Sequence, residues 1–87
     1  MKKIFKYKLI PGINELKLPK QAEFLSVGAQ QDNLVIWALI NELNINEFRY
    51  IEVLMTGEEV PVDMGVQREF IGTTQVGWLV FHVFERI

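Results

Sequence analysis

The 87-residue chain contains no cysteine, one histidine and three prolines. Without thiols there can be no disulfide framework, no thiolate metal site and no cysteine nucleophile, and a small domain that holds without staples fits a reducing cytoplasm. With His82 alone, an imidazole metal site has no second ring to use. Long apolar runs are also missing. The longest, Leu34–Ile40, is far too short to cross a bilayer. The opening MKKIFKYKLI resembles the basic start of a secretion signal, but Lys6 and Lys8 interrupt its apolar stretch and no small-residue cleavage site follows. The expectation is a soluble, intracellular protein without a membrane partner.

Helical periodicity is lacking too. What the chain has is alternation. Phe5, Tyr7 and Leu9 alternate with Ile4, Lys6 and Lys8, as in a half-buried strand whose lysines guard an exposed edge. Pro11-Gly12 is a turn, Ile13–Leu18 alternates again, and Pro19 stops it. Ala22–Gln30 reads as a strand in which Gly28 marks a bulge or a close backbone approach. Gln31-Asp32-Asn33 has turn chemistry, and Leu34–Ile40 (LVIWALI) is apolar on both faces of a strand. Asn41–Asn46 is a polar connection. In Phe48–Met55, Phe48, Tyr50, Glu52 and Leu54 share one face. Val60–Gln67 is a loop, Arg68–Ile71 a short strand, and Gly72-Thr73-Thr74 a turn into the last strand. The sum is a single all-β domain over residues 1–87, a small antiparallel sandwich or barrel of six to seven strands. One short helix is admissible, in Ala22–Leu25 or Asn41–Phe48.

Nearly half of the residues are hydrophobic, 49%, in a chain too short to hide them easily. Self-association would cover the excess, so a homo-oligomer is expected. Charge is segregated as well. Residues 1–20 carry six lysines against Glu15, a net of +5, and residues 21–87 carry Arg49, Arg68 and Arg86 against ten acids, a net of −7. A basic segment facing acids of its own or a neighbouring subunit explains this better than nucleic acid, which calls for an unopposed basic patch.

Chemistry-bearing residues are few. In a strand, His82 stands in a row with Trp78, Val80 and Phe84, where a ring packs and gives one nitrogen to a backbone or carboxylate partner. Gly72-Thr73-Thr74 could cradle a phosphate with Arg68 upstream, but neither GxxxxGK[ST] nor GxGxxG is present, and a strand-joining turn is the commoner meaning. Glu58, Glu59 and Asp63 match no EF-hand spacing. Trp37 and Trp78 belong to the core first, or to a pocket wall that stacks on a flat ligand. No cofactor, metal or catalytic set is expected, and the chain reads as a non-enzyme.

Several stretches (FKYKL at Phe5–Leu9, SVGAQ followed after the turn by LVIWALI, MTG at Met55–Gly57, and GTTQVGWLVFHVFE from Gly72) resemble a family of small proteins encoded by bacteriophages and prophages. The resemblance spans nearly the whole chain. It implies a viral or prophage origin and carries over no catalytic or binding residue. Two functions then compete. One is sequestration of a small anionic nucleotide-like ligand, such as an immune signal, in counter-defence, with Trp37, Arg49, Arg68, Thr73, Thr74 and Gln30 as binding groups. The other is a module that contacts a host or phage protein through a sheet edge or apolar face. A basic pocket with an aromatic wall favours the first, a flat apolar patch the second.

Overall fold

The computed structural model describes all 87 residues, Met1–Ile87. They form seven antiparallel strands and no helix: β1 (Lys2–Leu9), β2 (Gly12–Pro19), β3 (Glu23–Gln30), β4 (Asn33–Asn41), β5 (Asn46–Met55), β6 (Arg68–Val76) and β7 (Leu79–Arg86). The expected all-β sandwich is what the chain builds. Both stretches admitted as helix are extended chain or turn instead. One sheet has the order β1-β4-β3 and the other β2-β5-β7-β6, and β3 packs alongside β6.

Alternation decides which side chains enter the space between the sheets. Leu34, Ile36, Ala38 and Ile40 of β4 meet Leu16 and Leu18 of β2, Ile51 and Val53 of β5, and Phe81 and Val83 of β7 in one core. The outward set of β4, Val35, Trp37 and Leu39, is apolar as well, and Val35 is only 3% exposed. The ring of Trp37 lies against Gly28 on the neighbouring strand, so closely that a Cβ there would stand 2.9 Å from it. Gly28 is thus a point of close approach. A bulge in β3 does exist, but it falls between Phe24 and Ser26.

The turns follow their residues. Gln31 and Asp32 both have positive φ, 52° and 61°, which gives a two-residue hairpin its twist between β3 and β4. At the corner between β1 and β2, the buried amide of Asn14 bonds both the N–H and the carbonyl of Ile10 and the carbonyls of Gly12 and Ile51. It satisfies the backbone where the chain changes sheets.

Two expectations fail near the end of the chain. Gly72-Thr73-Thr74 is no turn, because β6 continues through it to Val76 and reverses at Gly77-Trp78. Gly72 reads locally as a breaker, yet it is bare because Val27 of the opposite sheet lies on it: a Cβ there would be 2.9 Å from the Val27 methyl. Trp78 is no core residue. It occupies the hairpin tip, 95% exposed.

Candidate functional site

The two sheets touch at Gly72 and Val27 and separate further along. β3 carries its bulge between Phe24 and Ser26, and β6 carries one between Phe70 and Gly72. An extra residue bends a strand and re-aims its side chains. Two bulges on neighbouring strands, each near the Gly72–Val27 contact, open a cleft of about 330 Å³ between the sheet edges. Ala22, Glu23 and Phe24 form one wall, Glu69, Phe70 and Ile71 the other, and Arg49 and Glu85 the floor.

The floor is a closed electrostatic unit. Arg49 faces inward from β5 beside Ile51 and Val53, and Glu85 inward from β7 beside Phe81 and Val83. Arg49 Nε donates to Glu85 Oε2 at 2.6 Å and Nη2 to Oε1 at 2.7 Å, a two-pronged pair. Its Nη1 donates to the carbonyl of Ala22, and the guanidinium carbon lies 4.5 Å above the Phe24 ring. The Glu85 hydrogen bond raises the Arg49 pKa above its ordinary value. All three guanidinium nitrogens are engaged. A phosphate would have to displace Glu85 to be held by this fork.

The rim has the opposite character. Glu23 and Glu69 are exposed and have no ion-pair or hydrogen-bond partner among their side-chain contacts. Phe70 is 61% exposed beside them. Counting Arg49 and Glu85 as neutralised, the cleft presents two free carboxylates and an aromatic ring. Such a surface attracts a cation with an apolar stem and repels phosphate.

The six residues expected to bind a ligand are not brought together. Only Arg49 reaches the cleft. Arg68 lies on the outer face of the four-stranded sheet, where its Nε donates to Glu52 and its Nη2 to Asp63 at 2.8 Å. Arg86 donates to the same two acids, at 3.1 and 2.8 Å. Each arginine pKa is raised, Arg68 first by its bond to Glu52 and Arg86 first by its bond to Asp63, whose carboxyl is held below its ordinary value mainly by the Arg86 bond. This four-membered network is neutral overall and pins the loop between β5 and β6 over Glu52, which is 3% exposed.

Thr73 points outward and bonds His82 Nδ1 at 2.9 Å, while Thr56 bonds Nε2 at 2.7 Å. His82 is therefore held at both nitrogens by hydroxyls, where one backbone or carboxylate partner was expected. Thr74 faces inward opposite Phe81, in mid-strand. Trp37 and Gln30 are on the outer face of the other sheet, where Gln30 accepts a hydrogen bond from Lys6 Nζ. No group of three or more His, Cys, Asp or Glu side chains could hold a metal ion.

What sequence reasoning missed is the acid half of the site. One signal was available: in β7 the inward row runs Phe81, Val83, Glu85, and in β5 it runs Arg49, Ile51, Val53. A lone inward acid and a lone inward base in neighbouring strands call for each other. Nothing local marks the bulges that place Glu23 and Glu69.

The chain belongs to the family described as a domain of unknown function, DUF7352, whose model matches residues 1–87. No curated protein and no solved structure matches it.

Proposed function

We propose that this member of the DUF7352 family is a non-catalytic protein-interaction module whose cleft receives a basic, partly apolar segment of a protein partner. The observation that carries this reading is the charge state of the cleft. Its one arginine is already forked onto Glu85, and the free groups at its mouth are Glu23 and Glu69. Sequestration of an anionic nucleotide draws support from the cleft volume, which reaches the lower end of small-ligand cavities at about 300 Å³. The sign of the charge argues against it, and Arg68, the second arginine it needs, lies in a separate ion network.

Surface composition supports the same conclusion. Of 87 residues only 18 are buried, and exposed side chains include Phe48, Phe70, Val62, Met64 and Trp78. Of these, Phe70 stands at the cleft itself, where it offers an apolar contact beside the free carboxylates. The phage-like terminal motif would make a host or phage protein the natural partner.

Isothermal calorimetry tests the reading directly. A peptide alternating lysine with aromatic residues should bind the wild type with an affinity that weakens as salt rises, and Glu69→Lys should abolish that binding. Cyclic nucleotides and ADP-ribose should give neither heat nor a rise in melting temperature. Stoichiometric nucleotide binding with no response to the peptide would replace this reading with sequestration.

A further inference from the structure

The charge segregation of the sequence becomes a polarity of the folded body. β1 and β2 carry five of the six lysines of residues 1–20 against Glu15, a net of +4. The strand orders place β1 and β2 at one lateral border of the sandwich, because β3 and β6 pack together at the other. Of the five lysines on the basic border, only Lys3 has a carboxylate ion-pair partner, Glu42 at 2.7 Å. Lys2 shares a pocket with Glu23 across β4, whereas Lys6, Lys8 and Lys17 stand without a carboxylate partner. The opposite border holds the cleft, with Glu23 and Glu69 free.

We infer that the occupant of the cleft is a second copy of this chain, presenting its β1 border in a head-to-tail contact. This rests on the reading of the cleft as a site for a basic protein segment. Charge complementarity selects the orientation: two β1 borders face to face would set lysines against lysines, and two clefts would set carboxylates against carboxylates. Apolar groups match on the same two borders. Ile4 and Phe5 are 61% and 42% exposed on β1, and Phe70 and Leu25 are 61% and 43% exposed beside the cleft.

The surface area has room for such a contact. The isolated chain exposes 5891 Å², against about 5300 Å² for a folded monomer of its mass. Because the two contacting borders differ, the contact is heterologous. It propagates until it closes into a ring or continues as a filament.

Light scattering at rising concentration, with circular dichroism as a folding control, tests this with two exposed double variants. Wild type should grow beyond 10.1 kDa as concentration rises and shrink again in high salt. Lys6→Glu/Lys8→Glu and Glu23→Lys/Glu69→Lys should each remain monomeric, since each faces like charges across the contact. Mixed one to one, the two should reassemble, because each reversed surface then meets an opposite charge. A wild type that stays at 10.1 kDa, or a variant that assembles alone as wild type does, overturns the inference. The lysine–aromatic peptide separates the two levels. If it binds while wild type stays monomeric, the cleft serves another basic partner and only the second copy is lost; if neither occurs, both readings fall.

Discussion

Arg49 does different work from most surface cations. Arg49 joins the sheets: it belongs to β5 of the four-stranded sheet and donates to the carbonyl of Ala22, at the entry to β3 in the other. Its side chain is 20% exposed and that of Glu85 11%, so water screens the pair only in part. Removing one member of a largely buried pair leaves an uncompensated charge, a loss of about 3 kcal/mol or more. Glu85→Gln should therefore lower the melting temperature by over 10 °C, at roughly 4–8 °C per kcal/mol for a domain of this size. Replacement of both members, Arg49→Met with Glu85→Leu, should recover much of the loss if the pair is held mainly by mutual need. His82 behaves otherwise. Its two threonine bonds lie at exposed positions where water can substitute, so His82→Asn should cost about 1 kcal/mol and leave peptide binding at the cleft unchanged in thermal melts and calorimetry.

The elements show what alternation conveys and what it hides. Leu16 and Leu18 against Glu15 and Lys17 announce a strand because one face of β2 is buried in the core. In Phe5, Tyr7 and Leu9 against Lys6 and Lys8, by contrast, the covered face deepens only toward Leu9, Phe5 being 42% exposed. Leu34–Ile40 was legible as a strand from its β-branched and aromatic content, although both of its faces are apolar. Gly72 misled for a physical reason: a glycine required by a residue 45 positions earlier looks the same in sequence as one required by a turn. The same limit applies to the site, since Arg49 was legible as polar chemistry, whereas Glu23, Glu69 and Phe70 meet it only through two bulges. The β5–β6 loop illustrates a third case. Its acids match no cation-binding spacing because Asp63 serves Arg68 and Arg86, while Val60, Val62 and Met64 project outward at 56%, 94% and 94% exposure. The Asp63 carboxyl is held below its ordinary value, so its contribution is complete above the unfolded pKa near 4 and fades as pH falls through the lower folded value. Hydrogen-exchange protection factors at Val66 and Gln67, whose amides bond Asp63 and Ile87 carbonyls, should fall selectively below about pH 4. Protection that stays flat down to about pH 2 would mean that the loop is held without the network.

At the scale of the whole molecule, side chains rather than backbone ladders join the two halves, as in other sandwiches. Every strand ladder lies within one sheet, and β3 and β6 lie side by side without a ladder between them. Cohesion comes from side chains: the shared apolar core, Arg49 on the Ala22 carbonyl, and the contact of Gly72 with Val27. That last contact is the narrowest. Gly72 has no positive φ to require glycine, so only space forbids a side chain there. A Cβ at Gly72 would meet the Val27 methyl at 2.9 Å, and Val27 is a stiff β-branched residue that cannot swing away freely. Gly72→Ala should accordingly push the sheets apart and destabilise the fold by about 1–3 kcal/mol, the range for overpacking. Val27→Ala alone should also destabilise, by removing packed methyl groups. In the double variant the new methyl would enter the space the old ones left, so the combined loss should be smaller than the sum of the two single losses. Chemical denaturation of the four proteins measures this coupling. Strictly additive losses would mean that the strands part there at no cost, and that something other than this contact sets the width of the cleft.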